Sequence, residues 1–255
     1  MYRFFVDSSQ IQEEEILITG TDVNHIKNVL RMKKGEKILI SNGEDKEYHC
    51  RIDEISKEFI KAVIEDVDGQ TTELPAQIYL YQGIPKSDKM QLIIQKAVEL
   101  GVHEIIPVQT KRVVVKLDAK KEENKKKRWN AISESAAKQS KRMLIPRVTE
   151  CKSFQSAIKE VEDFDLKLIP YEEEMDMART KQILETIKPG QKIAVFIGPE
   201  GGFCESEIAF AKEHSVIPIT LGKRILRTET AGLMILSVLM FQLEGKNQKE
   251  EKEEK

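Results

Sequence analysis

Two short runs near the carboxyl end of the chain hold the residue types best suited to chemistry. Ile197-Gly198-Pro199-Glu200-Gly201-Gly202-Phe203 sets three glycines around a single carboxylate. Leu221-Gly222-Lys223-Arg224-Ile225-Leu226-Arg227-Thr228-Glu229-Thr230-Ala231 gathers cations, a carboxylate and hydroxyls beside apolar side chains. Glycines at this density let backbone approach a ligand closely and permit positive φ. Arg227, Glu229 and Thr230 fall where a helix starts, so free N–H groups add to their binding capacity. Each run follows an apolar segment of strand character, Ile193 to Ile197 and Val216 to Leu221, and each opens into a helix. Both therefore sit at the carboxyl ends of strands, where parallel α/β sheets keep their ligands. No Gly-Lys-Ser/Thr follows, which excludes a phosphate loop, and Gly198-x-x-Gly201-Gly202 lacks the dinucleotide spacing.

The elements that must position these runs have to come from a chain of 255 residues, enough for one large domain or two smaller ones. An apolar content of 40% supplies a core, and 33% charged residues argue for a soluble protein. The net charge of −2 does not suggest a polyanion partner, but its distribution does: between Lys111 and Arg147 there are 13 Lys and Arg against 4 Asp and Glu. Cys50, Cys151 and Cys204 are scattered and odd in number. They make neither a metal spacing nor a disulfide framework, as expected in a reducing cytoplasm. The start lacks a signal-peptide apolar region. The most apolar run, Ala231 to Leu243, is too short to span a bilayer and reads as a fully buried core helix.

In chain order, residues 2 to 6 form a short strand. Thr21 or Asp22 caps a helix running to about Met32, with Val23, Ile26, Val29 and Leu30 on one face, and Gly35 ends that unit. Lys37 to Ser41 is a strand entering a turn at Asn42-Gly43, a hairpin signal, and Tyr48 to Ile55 and Phe59 to Val67 supply two more strands. The polar stretch Asp68-Gly69-Gln70-Thr71-Thr72 marks a domain boundary. Beyond it strands alternate with helices, the pattern of a parallel sheet. Ala76 to Gln82 is a strand. Ser87 caps a helix with the stripe Met90, Ile93, Ile94, Ala97 and Leu100, closed by Gly101. Glu104 to Val108 is the next strand, and a helix around Trp129 to Ser140 turns Trp129, Ile132, Ala136 and Gln139 inward. Helix 153–161, strand 165–169 and helix 175–187 lead to the first glycine run. Cys204 is a poor cap for the helix after it, and Glu205 and Glu207 compensate through the helix dipole. From Gly245 the chain is Lys/Glu-rich and lacks apolar residues, as in a frayed tail.

The pair IGPEGGF and LGKRILRTETA closely resembles the RsmE family of 16S ribosomal RNA uridine N3-methyltransferases, of the SPOUT class. The resemblance extends over nearly the whole chain to about Leu243. It includes Arg3, Phe4 and the run His25-x-x-x-Val29-Leu30-Arg31, and Lys89, Lys96 and Glu99 on the helix after residue 87. Lys96 and Glu99 are also explained by a simple i,i+3 salt bridge. Where many members read E-A-A-E-Q-S, this chain has Ser135-Ala136-Ala137-Lys138-Gln139-Ser140, so no catalytic acid is assigned there.

The resemblance implies a PUA-like RNA-binding β-barrel over residues 1–72, an α/β SPOUT methyltransferase domain over 73–245 whose parallel sheet carries a C-terminal trefoil knot, and a charged flexible tail over 246–255. It implies S-adenosyl-L-methionine as cofactor, held by Ile169 and Pro170, by Gly198, Pro199, Glu200, Gly201 and Gly202, and by Leu221, Gly222, Ile225 and Leu226, with Thr230 beside them. It also implies methylation of N3 of a uridine near the decoding centre, with 16S rRNA in an assembled small subunit as partner, a homodimer, no membrane and no metal. Catalysis then rests on in-line positioning, removal of the N3 proton and stabilisation of the uracil oxygens. Arg227 is assigned the last role, and the base is Glu229 or Glu200. Arg3, Arg31, Lys89, Arg112, Lys126, Lys127, Arg128 and Arg142 are the expected RNA contacts, largely to phosphate. The alternatives are an RNA-binding assembly factor without catalysis and a generic α/β nucleotide-binding enzyme.

Overall fold

A computed structural model of the chain describes residues 1–43, 46–68, 72–112 and 119–253. Residues 69–71 of the expected boundary turn, 113–118 of the basic stretch and 254–255 of the tail lie outside the described residues. The elements in order are β1 (Tyr2–Phe5), β2 (Glu15–Thr19), α1 (Thr21–Asn24), β3 (Lys37–Ser41), β4 (Glu47–Ile55), β5 (Phe59–Asp68), β6 (Gln77–Gly83), α2 (Lys89–Glu99), β7 (Glu104–Gln109) and α3 (Ala119–Ser140). There follow β8 (Arg147–Val148), β9 (Lys152–Ser153), α4 (Phe154–Glu160), β10 (Leu166–Pro170), α5 (Met177–Glu185), β11 (Lys192–Ile197), α6 (Glu205–Glu213), β12 (Ile217–Ile219) and α7 (Thr228–Glu253). They fall into two compact units, Met1–Glu73 with Ala137–Ile145, and Leu74–Ala136 with Pro146–Lys255.

The first unit is built on a five-stranded sheet in the order β1-β3-β4-β5-β2. Only β1 and β3 run parallel among these pairs. Alternation along β4 and β5 turns Tyr48, Cys50, Ile52, Ile60 and Ala62 into a core with Phe4, Ile16, Ile18, Val23, Ile26, Ile38 and Ile40. Strand β2 was not expected from the sequence, because its apolar core of Ile16, Leu17 and Ile18 is short and follows a run of glutamates. The β3–β4 hairpin is present, but Ser41 pairs with Glu47, so the connection is longer than a two-residue Asn-Gly turn.

The helix expected from Thr21 to Met32 is shorter and differently capped. Gly20, at φ +74°, precedes a four-residue α1, and His25–Val29 continues as one π-helical stretch. Val29 is consequently 64% exposed rather than facing the core with Val23 and Ile26.

Residues 137–145, expected in the second domain, belong to the first unit. The physical reason is a set of bonds between groups distant in sequence. Glu73 accepts bonds from Arg142 Nε and from the amides of Met143 (3.0 Å) and Leu144 (3.2 Å). Lys138 Nζ reaches Asp22 at 2.9 Å, and Ser41 Oγ donates to the carbonyl of Met143 at 2.7 Å.

The second unit is a parallel sheet in the order β12-β10-β11-β6-β7-β8, with β9 also paired to β7. Both faces are covered, so its strands are near-continuous apolar runs, as in Ile193 to Ile197, all within 2% of full burial. Helix α2 buries Met90, Ile93, Ile94 and Ala97 as its period requires. Ser87 is not its cap: it adopts φ +57°, and Asp88 takes the cap position without a side-chain bond.

Helix α7 corrects another expectation. Ile235, Leu236, Leu239 and Leu243 are buried, but Met234, Val238 and Phe241 are 38%, 37% and 81% exposed on the opposite side. The helix is amphipathic in burial though not in composition, and it extends as far as Glu253, into the run expected to fray. No helix among the described residues is long and apolar enough to cross a membrane.

Candidate active site

Three strand exits of the second unit converge on one cavity of about 450 Å³. They are Pro170 to Glu172 after β10, Gly198 to Phe203 after β11, and Thr220 to Arg227 after β12. Strand β10 lies between β11 and β12 in the sheet, so the three exits are neighbours although far apart in sequence. A volume of this size suits a small-molecule site, typically about 300–1,000 Å³.

The 198–202 loop is held residue by residue from outside itself. Gly83, at the end of β6, permits its approach: a Cβ there would stand 2.7 Å from the ring and backbone nitrogen of Pro199. Thr228 Oγ1 donates to the carbonyl of Gly198 at 2.6 Å and accepts from Gln82 Nε2 at 2.9 Å. Arg112 Nη1 donates to the carbonyl of Gly201 at 2.6 Å. The Lys86 amide donates to the Glu200 carboxylate at 3.1 Å, and Lys89 Nζ stands 3.0 Å from it. Within the loop, Gly202 takes φ +65°, and a Cβ on Gly198 would press to 3.0 Å on the Gly202 backbone.

The third exit is tied down in the same way. The Thr220 amide donates to Thr180 Oγ1 at 3.1 Å, the Gly222 amide to Thr220 Oγ1 at 3.2 Å, and Gly222 adopts φ +113°. At the start of α6, Glu207 acts through direct bonds rather than the dipole alone. Its carboxylate is buried and accepts from the amides of Cys204 (2.9 Å) and Lys111 (2.8 Å).

The chemistry-bearing side chains are unequally placed. Arg227 lines the cavity, is exposed, and has no ion-pair partner among the described residues. Glu200 lines it too. Burial opposes its charge, but bonds from backbone amides and the Lys89 ammonium prevail and hold its carboxyl below the usual glutamate range. Glu229 is not among the lining residues. Its Oε2 is buried without a hydrogen-bond donor, 3.5 Å from Lys89 Nζ. The bond with Glu200 in turn raises the Lys89 pKa above that of a free lysine.

Of the expected cofactor residues, Pro170, Gly198 to Gly202, Leu221, Gly222, Ile225 and Leu226 line the cavity. Ile169 does not, being a fully buried strand residue, and neither does Thr230, which is exposed on α7. Tyr171, Met175, Thr220 and Thr228 join the lining without having been among the expected cofactor residues. Gly83 carried a signal that went unread, since a glycine closing a strand often marks close backbone approach.

The expected RNA contacts separate into groups. Arg3 and Arg142 are corrected: both are buried, ion-paired with Glu47 and Glu73 respectively, and serve the first unit's interior. Removing one partner of such a buried pair costs roughly 3–5 kcal/mol. Lys89 and Arg112 belong to the site's framework, as described. Lys126 is bonded to Glu150 at 2.7 Å, and Arg128 Nη2 reaches Gln91 at 3.1 Å while remaining exposed. Lys127 has a side chain 72% exposed, and Arg31 is exposed at φ +54°. Gln139, expected inward, is exposed.

A parallel sheet whose last strands feed glycine-bearing loops into one cavity, with a separate small β unit, is the build of a particular enzyme class. The family model described as the RNA methyltransferase domain matches residues 72–240, and that of the RNA methyltransferase PUA domain matches residues 18–65. The chain belongs to this RNA methyltransferase family, in the branch of the ribosomal RNA small subunit methyltransferases E. It is 38% identical to the protein of that name from Bacillus subtilis over 96% of this chain and 98% of the relative. A crystal structure of ribosomal RNA small subunit methyltransferase E from Neisseria gonorrhoeae, bound to S-adenosyl methionine, is 32% identical with a TM-score of 0.83, covering 94% of this chain and 97% of that one. A further crystal structure, titled only as that of a hypothetical protein, is 38% identical with a TM-score of 0.88, covering 95% and 98%.

Proposed function

We propose that the protein methylates N3 of a uridine in small-subunit ribosomal RNA, with S-adenosyl-L-methionine as donor. One observation carries the reading. The cavity where three strand exits converge belongs to a chain related over nearly its full length to ribosomal RNA small subunit methyltransferases E. The residues present fit the cofactor. A cradle that a Cβ would fill at Gly198, glycines at positive φ, and the apolar Leu221, Ile225 and Leu226 offer an adenosine both backbone groups and a slot. When bound there, S-adenosylmethionine supplies an electrophilic methyl group.

The chain's own residues do the rest. Backbone of the 198–202 and 220–226 loops positions the donor, so that approach of the base is in line. Arg227 faces the cavity and stabilises negative charge as it develops on the uracil oxygens. Of the two carboxylates considered as base, Glu200 is committed to Lys86 and Lys89 and serves as the loop's anchor. Glu229 lies outside the cavity lining and pairs with the same Lys89 at 3.5 Å, so neither carboxylate is assigned as the acceptor of the N3 proton.

By the same reading the carboxyl-terminal segment forms a trefoil knot, supported by the position of β10 between β11 and β12. The exposed stripe of Met234, Val238 and Phe241 supports a homodimer. Its kinship with ribosomal RNA methyltransferases supports a cytoplasmic location. The test is incubation with labelled S-adenosylmethionine and undermethylated small subunits, followed by location of the modified nucleotide. Label on a uridine N3 of the small-subunit RNA is the expected result. RNA binding without label would favour a non-catalytic assembly factor.

A further inference from the structure

Arg112 stands just beyond the carboxyl end of β7, at the start of the basic stretch. Its guanidinium is not free: Nη1 donates to the carbonyl of Gly201 at 2.6 Å. Its aliphatic stem packs on the same glycine, because a Cβ on Gly201 would lie 3.2 Å from Arg112 Cβ. The preceding residue is tied to the same region. The Lys111 amide donates to Glu207 at 2.8 Å, and Lys111 Nζ reaches Ser206 Oγ at 2.8 Å. The beginning of the basic stretch and the glycine loop are thus one hydrogen-bonded body.

A guanidinium has five N–H donors in a planar fork. Here one is directed at the loop, the residue is exposed, and it has no other partner among the described residues. The remaining edge suits a phosphate, which the fork binds by two parallel bonds.

We propose that Arg112 is a positioning residue that couples the two ligands: one guanidinium holds the Gly201 carbonyl of the cofactor loop while its other edge takes a backbone phosphate of the RNA. This rests on the reading of the protein as an RNA methyltransferase. A phosphate clamped on the outer edge restricts the side chain and thereby steadies the loop. A cofactor that orders the loop presents the same edge ready-made. Each ligand then binds more tightly in the presence of the other, and linkage requires the two enhancements to be equal.

The test is equilibrium dialysis of labelled S-adenosylhomocysteine, which cannot react, with the full-length protein alone and with saturating undermethylated small ribosomal subunits. In the wild type, RNA should tighten binding by about 5–10-fold, within the ordinary range of coupling between sites. In Arg112→Ala the ratio should fall to about one. Arg112→Lys should recover only part of it, because the charge remains but the fork is lost. A merely structural Arg112 would weaken binding equally with and without RNA and leave the ratio unchanged, which would overturn the proposal, as would a wild-type ratio of one. The parent reading is tested separately, by whether the wild type transfers a methyl group to the same subunits at all.

Discussion

Arg227 and Glu200 face the same cavity but differ in what already holds them. Arg227 makes no ion pair among the described residues, so its charge is available for the uracil oxygens. Arg227→Ala is therefore expected to leave S-adenosylhomocysteine affinity within a few-fold and to slow single-turnover methylation roughly a hundredfold, the scale of losing one oxyanion donor. Lysine at 227 should rescue in part, and loss of cofactor binding by a folded alanine variant would reassign the residue. Glu200 is an anchor with a depressed pKa, so its contribution is present above the usual value of 4.5 and disappears as pH falls through the lower folded value. Lys89 is raised above 10.5, so its contribution is present below that value and disappears as pH rises through the higher folded one. Cofactor affinity followed by calorimetry should thus be flat across the neutral range, falling in acid as Glu200 protonates and again in strong alkali as Lys89 deprotonates, and a step near neutrality would contradict the anchoring role.

Glycine positions around the loop are not equivalent either. At Gly83 an added Cβ meets the Pro199 backbone nitrogen at 2.7 Å, and backbone cannot move aside cheaply. Gly202 has open space and needs only its φ of +65°. Gly83→Ala should cost about 1–3 kcal/mol of stability, as overpacking does, and weaken cofactor binding. Gly202→Asn should be nearly silent in thermal melting, since asparagine tolerates this region. Equal effects of the two substitutions would show that the close approach to Pro199 is not what confers the requirement.

At the scale of elements, α3 is the clearest case of a helix whose charges are only partly available. Lys126 is occupied by Glu150, whereas Lys127 and Arg128 are exposed. Reversing Lys127 and Arg128 should lower RNA affinity and reduce the salt slope by roughly one for each phosphate that is no longer neutralised, with cofactor affinity preserved. Lys126→Glu should do less. If all three reversals leave the slope unchanged, this face is solvated and carries no RNA.

For the whole molecule, the exposed stripe on α7 is the feature that an isolated chain explains least. Phe241 is 81% exposed on a helix whose opposite side is committed to the core. With Met234 and Val238 it forms an apolar surface on one side of a folded unit, the usual mark of an interface. Light scattering should find a dimer, and Phe241→Glu should yield a folded monomer. A wild-type monomer at micromolar concentration with RNA bound would remove this reading.

The sequence by itself determined what local periodicity and turn chemistry control. Most strands of both units, the apolar stripe of α2 and the placing of two glycine runs at strand ends were legible, because alternation, helical period and glycine density are local properties, whereas the short β2, β8 and β9 were not. It also carried the motifs that identify the family. Tertiary structure decided the rest. Arg3 and Arg142 read as RNA contacts, yet their partners Glu47 and Glu73 lie far away in sequence, as does Asp22, the partner of Lys138. The assignment of residues 137–145 to the first unit follows from the pairings of Arg142 and Lys138. Gly83 hinted at a close approach without saying to what, and the roles of Gln82 and Arg112 were invisible, because each acts on a loop that the fold brings to it from a distant part of the chain. Burial on α7 shows the limit most directly. Its apolar residues run nearly all around the helix, so composition calls for burial on every side, and only packing within the unit decides which face is left open.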